Sequence, residues 1–266
     1  SDKLKFSFSY FRQAEPQGPA SGGVNWGGAG PGRYSYDITA GNNYIAEGTA
    51  YSGNSAYKES IRELNQFNAR LAYNLSESWE VGVSAQVGGI YNDYLDEAEV
   101  STAFAGHVVG NFGNFNLKAE YINYNYSAKG AEVQLNEDGE ETDNYTTYDL
   151  ETVQMGAYGF NYDVAAKADV YVAGLAYTIP VEWGPITSIQ PYVDYTVIDK
   201  TSDKFNDMHH LIPGMLISAG PVYTYVDYAM GKNQPWLTAN FGEGLGDGEA
   251  GAPWKTRFNI NVGYYF

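Results

Sequence analysis

The stretch Arg257-Phe-Asn-Ile-Asn-Val-Gly-Tyr-Tyr-Phe266 alternates between apolar and polar side chains. A strand turns successive side chains to opposite faces of its sheet, so a two-residue period indicates a β-strand with two different faces. One face then carries Phe258, Ile260, Val262, Tyr264 and Phe266. The other face carries Arg257, Asn259, Asn261 and Gly263.

The same rhythm recurs along the whole chain. It is found in residues 4–10, 67–75, 79–87, 115–121, 171–179, 189–197 and 222–230. Each run is roughly 9 to 13 residues long, which is the length that a tilted strand needs to cross a bilayer. Strands of soluble proteins are usually shorter, about 5 or 6 residues. The run length therefore favours a membrane β-barrel over a soluble β-sandwich.

The connections between the runs alternate in length. The short ones are residues 76–78, 110–114, 181–185 and 220–221. The long ones are residues 12 to about 60, 91–97, 127 to about 169, 199–207 and 231–254. Short periplasmic turns and long extracellular loops are typical of an outer-membrane barrel. The sequence thus predicts an all-β, antiparallel, up-and-down transmembrane barrel.

The strand number follows from the runs and two further segments. The strong runs give about ten strands, and bacterial barrels have an even number. Residues 34–39 and 153–161 also have strand character. Adding this pair predicts about twelve strands, within a range of 10 to 16.

Composition excludes several classes of protein. The chain has 266 residues, 15 Lys and Arg against 32 Asp and Glu, and a formal net charge of −17, so nucleic acid is not an expected partner. An aromatic content of 16%, with 25 Tyr, argues against disorder. No cysteine is present to form a disulfide or bind a metal, and no stretch of about 18 apolar residues indicates a transmembrane helix.

The C-terminal row that ends on Phe266 resembles the assembly signal of outer-membrane barrels. Two longer stretches resemble a group of poorly characterised proteobacterial porins: Gly220-Pro-Val-Tyr-Thr-Tyr-Val-Asp-Tyr-Ala-Met-Gly-Lys-Asn-Gln-Pro-Trp-Leu237 with residues 254–266, and Tyr162-Asp-Val-Ala-Ala-Lys-Ala-Asp-Val-Tyr-Val-Ala-Gly-Leu-Ala-Tyr177. The resemblance covers roughly the last 110 residues. Members of the group are longer, so residues 1–266 form either a single barrel domain or a fragment of a longer porin.

The resemblance implies a location and a set of partners. The expected location is the bacterial outer membrane, where the barrel contacts lipid and lipopolysaccharide. The assembly signal, Phe258, Ile260, Val262, Tyr264 and Phe266, implies recognition by the barrel assembly machinery. A homotrimer is a further implication of the porin resemblance.

Charged residues at the polar positions of the runs are candidates for the lining of a pore. They are Lys3, Lys5, Arg70, Glu80, Lys118, Glu120, Asp194, Asp227 and Arg257. Charges on an inner wall are expected in a watery channel and are costly on a lipid face. The alternative is that they pair across a plugged interior that conducts nothing. Tyr192, Tyr223 and Tyr225 would either stack on a sugar or fill the wall.

Acidic residues crowd the long connection of residues 127–169. Its candidates for a constriction loop are Glu137, Asp138, Glu140, Glu141 and Asp143. Folded into the lumen, they would face Arg70, Lys118 and Arg257 and create a transverse field. The alternatives are a solvated outer surface and, less favoured, bound Ca²⁺. No Asp-x-Asp-x-Asp-Gly calcium loop occurs, so no metal site is predicted.

The three histidines, His107, His209 and His210, raise the question of an enzyme. A hydrolase needs a base beside a nucleophile, and Asp207 lies near the histidine pair. No Gly-x-Ser-x-Gly elbow is present. Neighbouring strand residues point to opposite faces, so His209 and His210 are not expected to share a metal. We therefore expect neither an enzyme nor a cofactor.

These patterns favour a porin. Such a protein would allow passive diffusion of small hydrophilic solutes or ions through a water-filled lumen, with a mild preference for cations. The alternatives are a non-conducting barrel that binds partners through its long loops and, with less support, an outer-membrane hydrolase.

Overall fold

The computed structural model describes residues 3–11, 39–40, 55–58, 61–157, 160–238 and 244–266. Within these ranges the protein is all-β and contains no helix. All strand pairs are antiparallel. The sequence prediction of an all-β, antiparallel protein is confirmed.

The described strands number eighteen. The first nine are β1 (Leu4–Phe11), β2 (Thr39–Ala40), β3 (Ser55–Lys58), β4 (Ile61–Glu63), β5 (Gln66–Asn74), β6 (Trp79–Asn92), β7 (Glu97–Phe112), β8 (Phe115–Asn125) and β9 (Lys129–Leu135). The others are β10 (Glu141–Asp149), β11 (Thr152–Ala157), β12 (Phe160–Ala165), β13 (Lys167–Tyr177), β14 (Ile179–Trp183), β15 (Ile186–Lys200), β16 (Met208–Ala219), β17 (Val222–Lys232) and β18 (Lys255–Tyr264).

One large sheet dominates the fold. Its order is β1-β5-β6-β7-β8-β13-β15-β16-β17-β18, so its positions follow the order of the chain, although other strands intervene after β1, β8 and β13. β4 pairs with β6 beside β5, and β14 pairs with β15 beside β13. The sheet therefore has twelve strand segments in ten positions, in up-and-down order.

The pair of strands predicted at residues 34–39 and 153–161 does not join this sheet. β11 pairs with β12 and with β2 in a separate three-stranded sheet. Residues 34–38 lie outside the described residues. The count of about twelve is thus reached through the segments β4 and β14 and not through the predicted pair. The pattern of alternation alone cannot tell a wall strand from a loop hairpin.

Loop lengths separate the two ends of the sheet as the sequence predicts, with one exception. The predicted long connection of residues 91–97 is wrong, because β6 and β7 extend into it and leave a four-residue turn, residues 93–96. Four tight connections join β5 to β6, β7 to β8, β14 to β15 and β16 to β17, all at what we call the short end. Gly113, Gly184 and Gly220 have φ near +60° in three of these turns, a conformation that glycine adopts without steric cost. The long connections all lie at the opposite end, called the long end below.

The register sorts side chains onto two faces of the large sheet. One cross-strand row runs from Ala72 through Gly82, His107 and Glu120 to Val172. The face that contains this row is called the polar face below. The opposite face carries the large apolar members of every run and is called the apolar face.

The connection between β8 and β13 folds into two hairpins at the long end. β9 and β10 form one hairpin, which β3 extends, and β11 and β12 form the other. Leu150, Val153 and Val164 from this connection pack in one buried cluster with Ile90 and Tyr124 of the large sheet. Ile90 and Tyr124 belong to the polar face, so the connection covers that face at the long end.

The large sheet is open in the described residues. β1 and β18 each have a neighbour on one side only, and no pairing joins them. The ring closure that a barrel requires is therefore not seen, whereas the strand order that a barrel requires is present.

Candidate functional site

The predicted wall residues come together on the polar face. Eight of the nine lie in strands of the large sheet and share this face by register: Lys5, Arg70, Glu80, Lys118, Glu120, Asp194, Asp227 and Arg257. Lys3 lies just before β1, and its carbonyl oxygen accepts the N–H of Asn74. Whether these residues line a pore stays a prediction.

Glu80 is the centre of an ion cluster near the short end. Its carboxylate accepts hydrogen bonds from Lys5 Nζ at 2.5 Å and from Arg70 Nη2 at 2.9 Å. Nε2 of His107 lies 3.3 Å from the same carboxylate and 3.1 Å from Arg70 Nη2. The four residues come from β1, β5, β6 and β7, so only the strand register brings them together. The cluster holds two basic side chains against the sheet.

Sequence reasoning missed the part that His107 plays in this cluster. It treated His107 as a candidate base and not as a partner of Glu80. No predicted run contained His107, because small residues such as Ala103, Ala105 and Gly106 weaken the alternation in β7. What the sequence lacked was the register that places it opposite Gly82.

Glycines on the polar face lie beneath large polar side chains. A Cβ at Gly82 would be 2.3 Å from the His107 ring, and one at Gly174 would be 2.4 Å from the Asp194 carboxylate. These side chains therefore lie flat across the neighbouring strand and do not project from it. No described side chain is thereby raised from these positions into the space in front of the sheet.

Tyr192 and Asp227 form a second polar pair, on β15 and β17. The Tyr192 hydroxyl donates to the Asp227 carboxylate across the strand between them. A Cβ at Gly214 would be 2.5 Å from the Tyr192 ring and 2.6 Å from the carboxylate. The pair thus packs directly on the backbone of β16.

By contrast, Lys118 and Glu120 form no ion pair in the described part of the chain.

The predicted constriction residues lie at the exposed tip of the β9–β10 hairpin. The Asn136 side-chain oxygen accepts the N–H groups of Asp138, at 3.0 Å, and Glu140, at 2.8 Å. Glu141 forms an ion pair with Lys58. Within the described ranges, no ion pair joins the hairpin tip to Arg70, Lys118 or Arg257. The constriction role of these carboxylates stays a prediction.

A different part of the long end is tightly built. Lys200 is 5% exposed and donates from Nζ to the carbonyl oxygens of Asn206, at 2.7 Å, and Gly244, at 2.8 Å. Asn233, which is also buried, binds the backbone of Asp207 and Glu249 through its amide. The segment of residues 244–249 is thereby fixed over the end of the sheet.

Desolvation by burial lowers the pKa of Lys200 from 10.5 to about 8. The carboxylates of Asp247 and Asp207 oppose this shift because they favour the charged ammonium. Lys200 is the last residue of β15, a strand that begins at the short end with Ile186. A tilted strand that spans a bilayer does so in about 9 to 11 residues, so any span that began at Ile186 would end before Lys200.

The two neighbouring histidines lie on opposite faces, as predicted. His209 pairs with Val197 on the apolar face, where its Nδ1 lies 2.9 Å from the Tyr195 hydroxyl. His210 pairs with Thr196 on the polar face. Among the described residues, no group of three or more His, Asp or Glu is arranged to hold a metal ion.

The apolar face is exposed along its length. Phe6 is 68% exposed, Val83 58% and Val262 65%. All five residues of the C-terminal signal are more than 60% exposed. The apolar face is therefore one continuous exposed surface. The role of the C-terminal row, Phe258 to Phe266, as an assembly signal stays a prediction.

Aromatic side chains form a band on the apolar face near each end. Near the short end, Trp79 stacks on Phe112 and Phe112 on Phe115, with ring centroids 5.9 and 5.3 Å apart. Near the long end, Tyr10 contacts Phe67 at 5.0 Å, and Tyr121 contacts Tyr171 at 5.3 Å nearer the middle of the strands. Bands of aromatic residues at both membrane–water interfaces are typical of membrane barrels.

Comparisons with protein-family models and with curated proteins find no match for this chain. No helix in the described ranges is long and apolar enough to cross a membrane. The function is therefore argued below from the geometry of the large sheet.

Proposed function

We propose that this protein is a porin of the bacterial outer membrane, through which small hydrophilic solutes and ions diffuse passively. The observation that carries the proposal is the division of the large sheet into an exposed apolar face and a charged polar face. Long strands in up-and-down order and the segregation of loop lengths support it. The mechanism is diffusion through water, filtered by width and charge.

The apolar face supports a lipid environment. Soluble monomers rarely expose a contiguous apolar patch of more than a few hundred Å². Here the exposed apolar side chains extend from β1 to β18, including Phe8, Leu71, Phe104 and Ile260. Contact with lipid would remove this surface from water, at a gain of about 25 cal/mol for each Å².

A lipid environment in turn requires the sheet to close. Unpaired backbone groups in hydrocarbon cost several kcal/mol each, so spanning sheets form closed barrels. Nine antiparallel pairings separate β1 from β18, and the two edge strands therefore run in opposite directions. They are suited to pair antiparallel with each other. We propose that they do so, forming a barrel of ten strand positions.

In this barrel the polar face lines the lumen. The nine predicted wall residues comprise five basic and four acidic side chains, so the wall itself is nearly balanced in charge. The acidic hairpin at the long end is then the main source of the proposed mild cation preference. Carboxylates at an entrance raise the local concentration of cations.

A second candidate function has support from the cover at the long end. Leu150, Val153 and Val164 pack onto the polar face and narrow the proposed lumen there. If this cover closes the lumen, the protein is a plugged barrel that binds partners through its long loops. The hydrophobic cluster favours this alternative, and the open polar face near the short end favours the channel.

The deciding experiment is single-channel recording in a planar bilayer under a salt gradient. A porin gives discrete ohmic steps and a reversal potential of the sign expected for cation preference. Correctly folded protein that inserts without conducting would contradict the porin and favour the plugged barrel.

Closure has its own test, because the chain has no cysteine of its own. Ser7→Cys is combined in turn with Asn259→Cys, Asn261→Cys and Gly263→Cys. Closure predicts that one combination forms a disulfide in membranes, whereas the distant control pair Ser7→Cys with Gln190→Cys does not. Failure of every edge pair to cross-link, in protein that is folded, would refute closure between β1 and β18.

The proposal extends to location and partners. Outer-membrane lipid and lipopolysaccharide would cover the apolar face, the barrel assembly machinery would recognise the terminal row, and homotrimers would form through part of the apolar face. No enzymatic activity and no cofactor are proposed.

A further inference from the structure

A cleft of about 270 Å³ lies on the polar face, between the Glu80 cluster and the long end. Its polar lining comes from three adjacent strands, β1, β5 and β6. The polar side chains other than Arg70 are Ser7, Ser9, Asn68, Ser84 and Gln86. The rest of the lining is apolar and comes from Ala69, Ala85, Ala103, Phe104, Ala105 and Ile122, of which Ala103, Ala105 and Ile122 belong to the polar face by register.

The register arranges these side chains as a regular array. Ser9, Asn68 and Gln86 follow one another across the sheet in one row. Ser7, Arg70 and Ser84 form the next row. Neighbouring strands are about 4.8 Å apart, and rows on one face are about 7 Å apart along the strand. The array therefore presents polar groups at the spacing of substituents around a small ring.

The five uncharged side chains have unused hydrogen-bonding capacity. None of them forms a side-chain hydrogen bond within the described part of the chain; Ser7 is exposed, and the other four are half-buried. Each hydroxyl and amide both donates and accepts. The one charged group, Arg70, is already engaged by Glu80 at 2.9 Å. The cleft thus offers donors and acceptors without a free charge.

This chemistry selects a class of ligand. An ion would be held more strongly by the charged residues elsewhere on the polar face. An apolar molecule would leave the hydroxyls and amides without partners, which is unfavourable. A sugar ring has hydroxyls that match the array and a C–H face that matches Ala103, Ala105 and Ile122. Pockets for drug-sized ligands span about 300 to 1,000 Å³, so this cleft suits one ring.

We propose that the cleft is a binding subsite for a neutral polyhydroxylated solute of monosaccharide size. The proposal rests on the proposed function, because it places the subsite on the wall of the pore. A solute that binds there would stay in the lumen for longer than one that only diffuses through.

The test measures single-channel current with D-glucose and with a polyethylene glycol of the same hydrodynamic size. Binding predicts a saturable fall in conductance with extra current noise for glucose, and only a linear fall for the polymer. The double variant Asn68→Leu with Gln86→Met removes both amides at nearly constant volume. We expect it to raise the apparent dissociation constant of glucose about tenfold.

Gln190→Met is the matched control, since Gln190 lies on the polar face in β15, distant from the cleft. It should leave the glucose effect unchanged. Should the double variant not fold, Ser9→Ala and Ser84→Ala serve as milder variants, each expected to weaken the glucose effect. A non-saturable effect equal to that of the polymer, or an unchanged glucose constant in folded cleft variants, would overturn the subsite.

A second measurement separates this proposal from the proposed function. Calorimetric titration of the folded protein in detergent with D-glucose reports binding without conduction. Conductance without glucose binding overturns the subsite alone. Glucose binding without conductance overturns the pore and retains the site in the cleft.

Discussion

At the scale of single residues, glycine decides how closely the polar face can be packed. Gly82 lies beneath the His107 ring, and Gly106 lies next to His107 in the chain but on the apolar face. The two glycines occupy neighbouring strands and differ in what an added methyl group would meet. They therefore form a matched pair for testing the packing of the Glu80 cluster.

We expect Gly82→Ala to destabilise the protein by about 1 to 3 kcal/mol, the usual cost of overpacking. Its Cβ would be 2.3 Å from His107 and 2.9 Å from the backbone oxygen of Leu71, and a backbone atom cannot move away cheaply. Gly106→Ala is the control, because its Cβ would meet nothing closer than 4.0 Å. Urea unfolding from detergent micelles measures both. Equal stability of the two variants would contradict the packing described.

At the scale of elements, Lys200 couples the long end to pH. Its folded-state pKa is about 8, against 10.5 for a free lysine. Between pH 8 and 10.5, Lys200 is mostly deprotonated while residues 244–249 are packed over it and mostly protonated when they are released. The packed state therefore becomes more stable as the pH rises through this window. The full difference corresponds to roughly 3 kcal/mol.

We expect the amides of Ala165 and Asn206 to become better protected from hydrogen exchange between pH 7.5 and 9.5, after correction for intrinsic rates. Both amides donate to the segment of residues 244–249, through the carbonyls of Leu245 and Asp247. Lys200→Met removes the titrating group and should remove the pH dependence. Protection that falls over this range in the unsubstituted protein would show that another group governs the segment.

Individual elements also show what the sequence can predict. Runs such as β1 and β5 were predicted because large apolar and polar residues alternate in them. β16 has a weaker pattern, since Ile212 and Leu216 make its polar face apolar as well. The β9–β10 hairpin lies in a segment predicted as one long loop, and residues 153–161 of the β11–β12 hairpin were predicted as a strand of the barrel wall. Their apolar residues Leu150, Val153 and Val164 follow no regular period, because they pack into a local cluster.

The candidate site was predictable only as a set of residues on one face. Alternation assigns Arg70, Glu80 and Lys118 to the polar positions of their runs. It cannot show that Glu80 engages Lys5, Arg70 and His107 together while Lys118 forms no ion pair with another described residue, because that depends on the register between strands. A shift of one residue would turn every side chain to the other face.

At the scale of the whole molecule, charge is divided between the sheet and the long end. The polar face is nearly balanced, whereas the β9–β10 hairpin tip is acidic and exposed. The proposed ion preference should therefore depend on the hairpin and less on the wall.

We expect the fourfold change Glu137→Gln, Asp138→Asn, Glu140→Gln and Asp143→Asn to move the reversal potential of the channel toward anion selectivity. Glu141 is left in place because it is paired with Lys58. The shift should shrink from 0.1 M to 1 M salt, as the Debye length falls from about 10 to about 3 Å. A reversal potential that the fourfold change leaves unaltered at low salt would place the selectivity elsewhere.

The two open edges of the large sheet also bear on how the protein folds. Their partners are the first and last strands of the described chain, so ring formation needs a contact between residues very far apart in sequence, and such contacts form slowly. A ring that closed in water would leave its apolar exterior exposed to water. A sheet that entered hydrocarbon before closing would leave the backbone N–H and C=O groups of both edge strands without hydrogen bonds. In the proposed barrel, entry into the bilayer and pairing of the edges would therefore advance together, and we predict that the pairing of β1 with β18 is the slow step of folding.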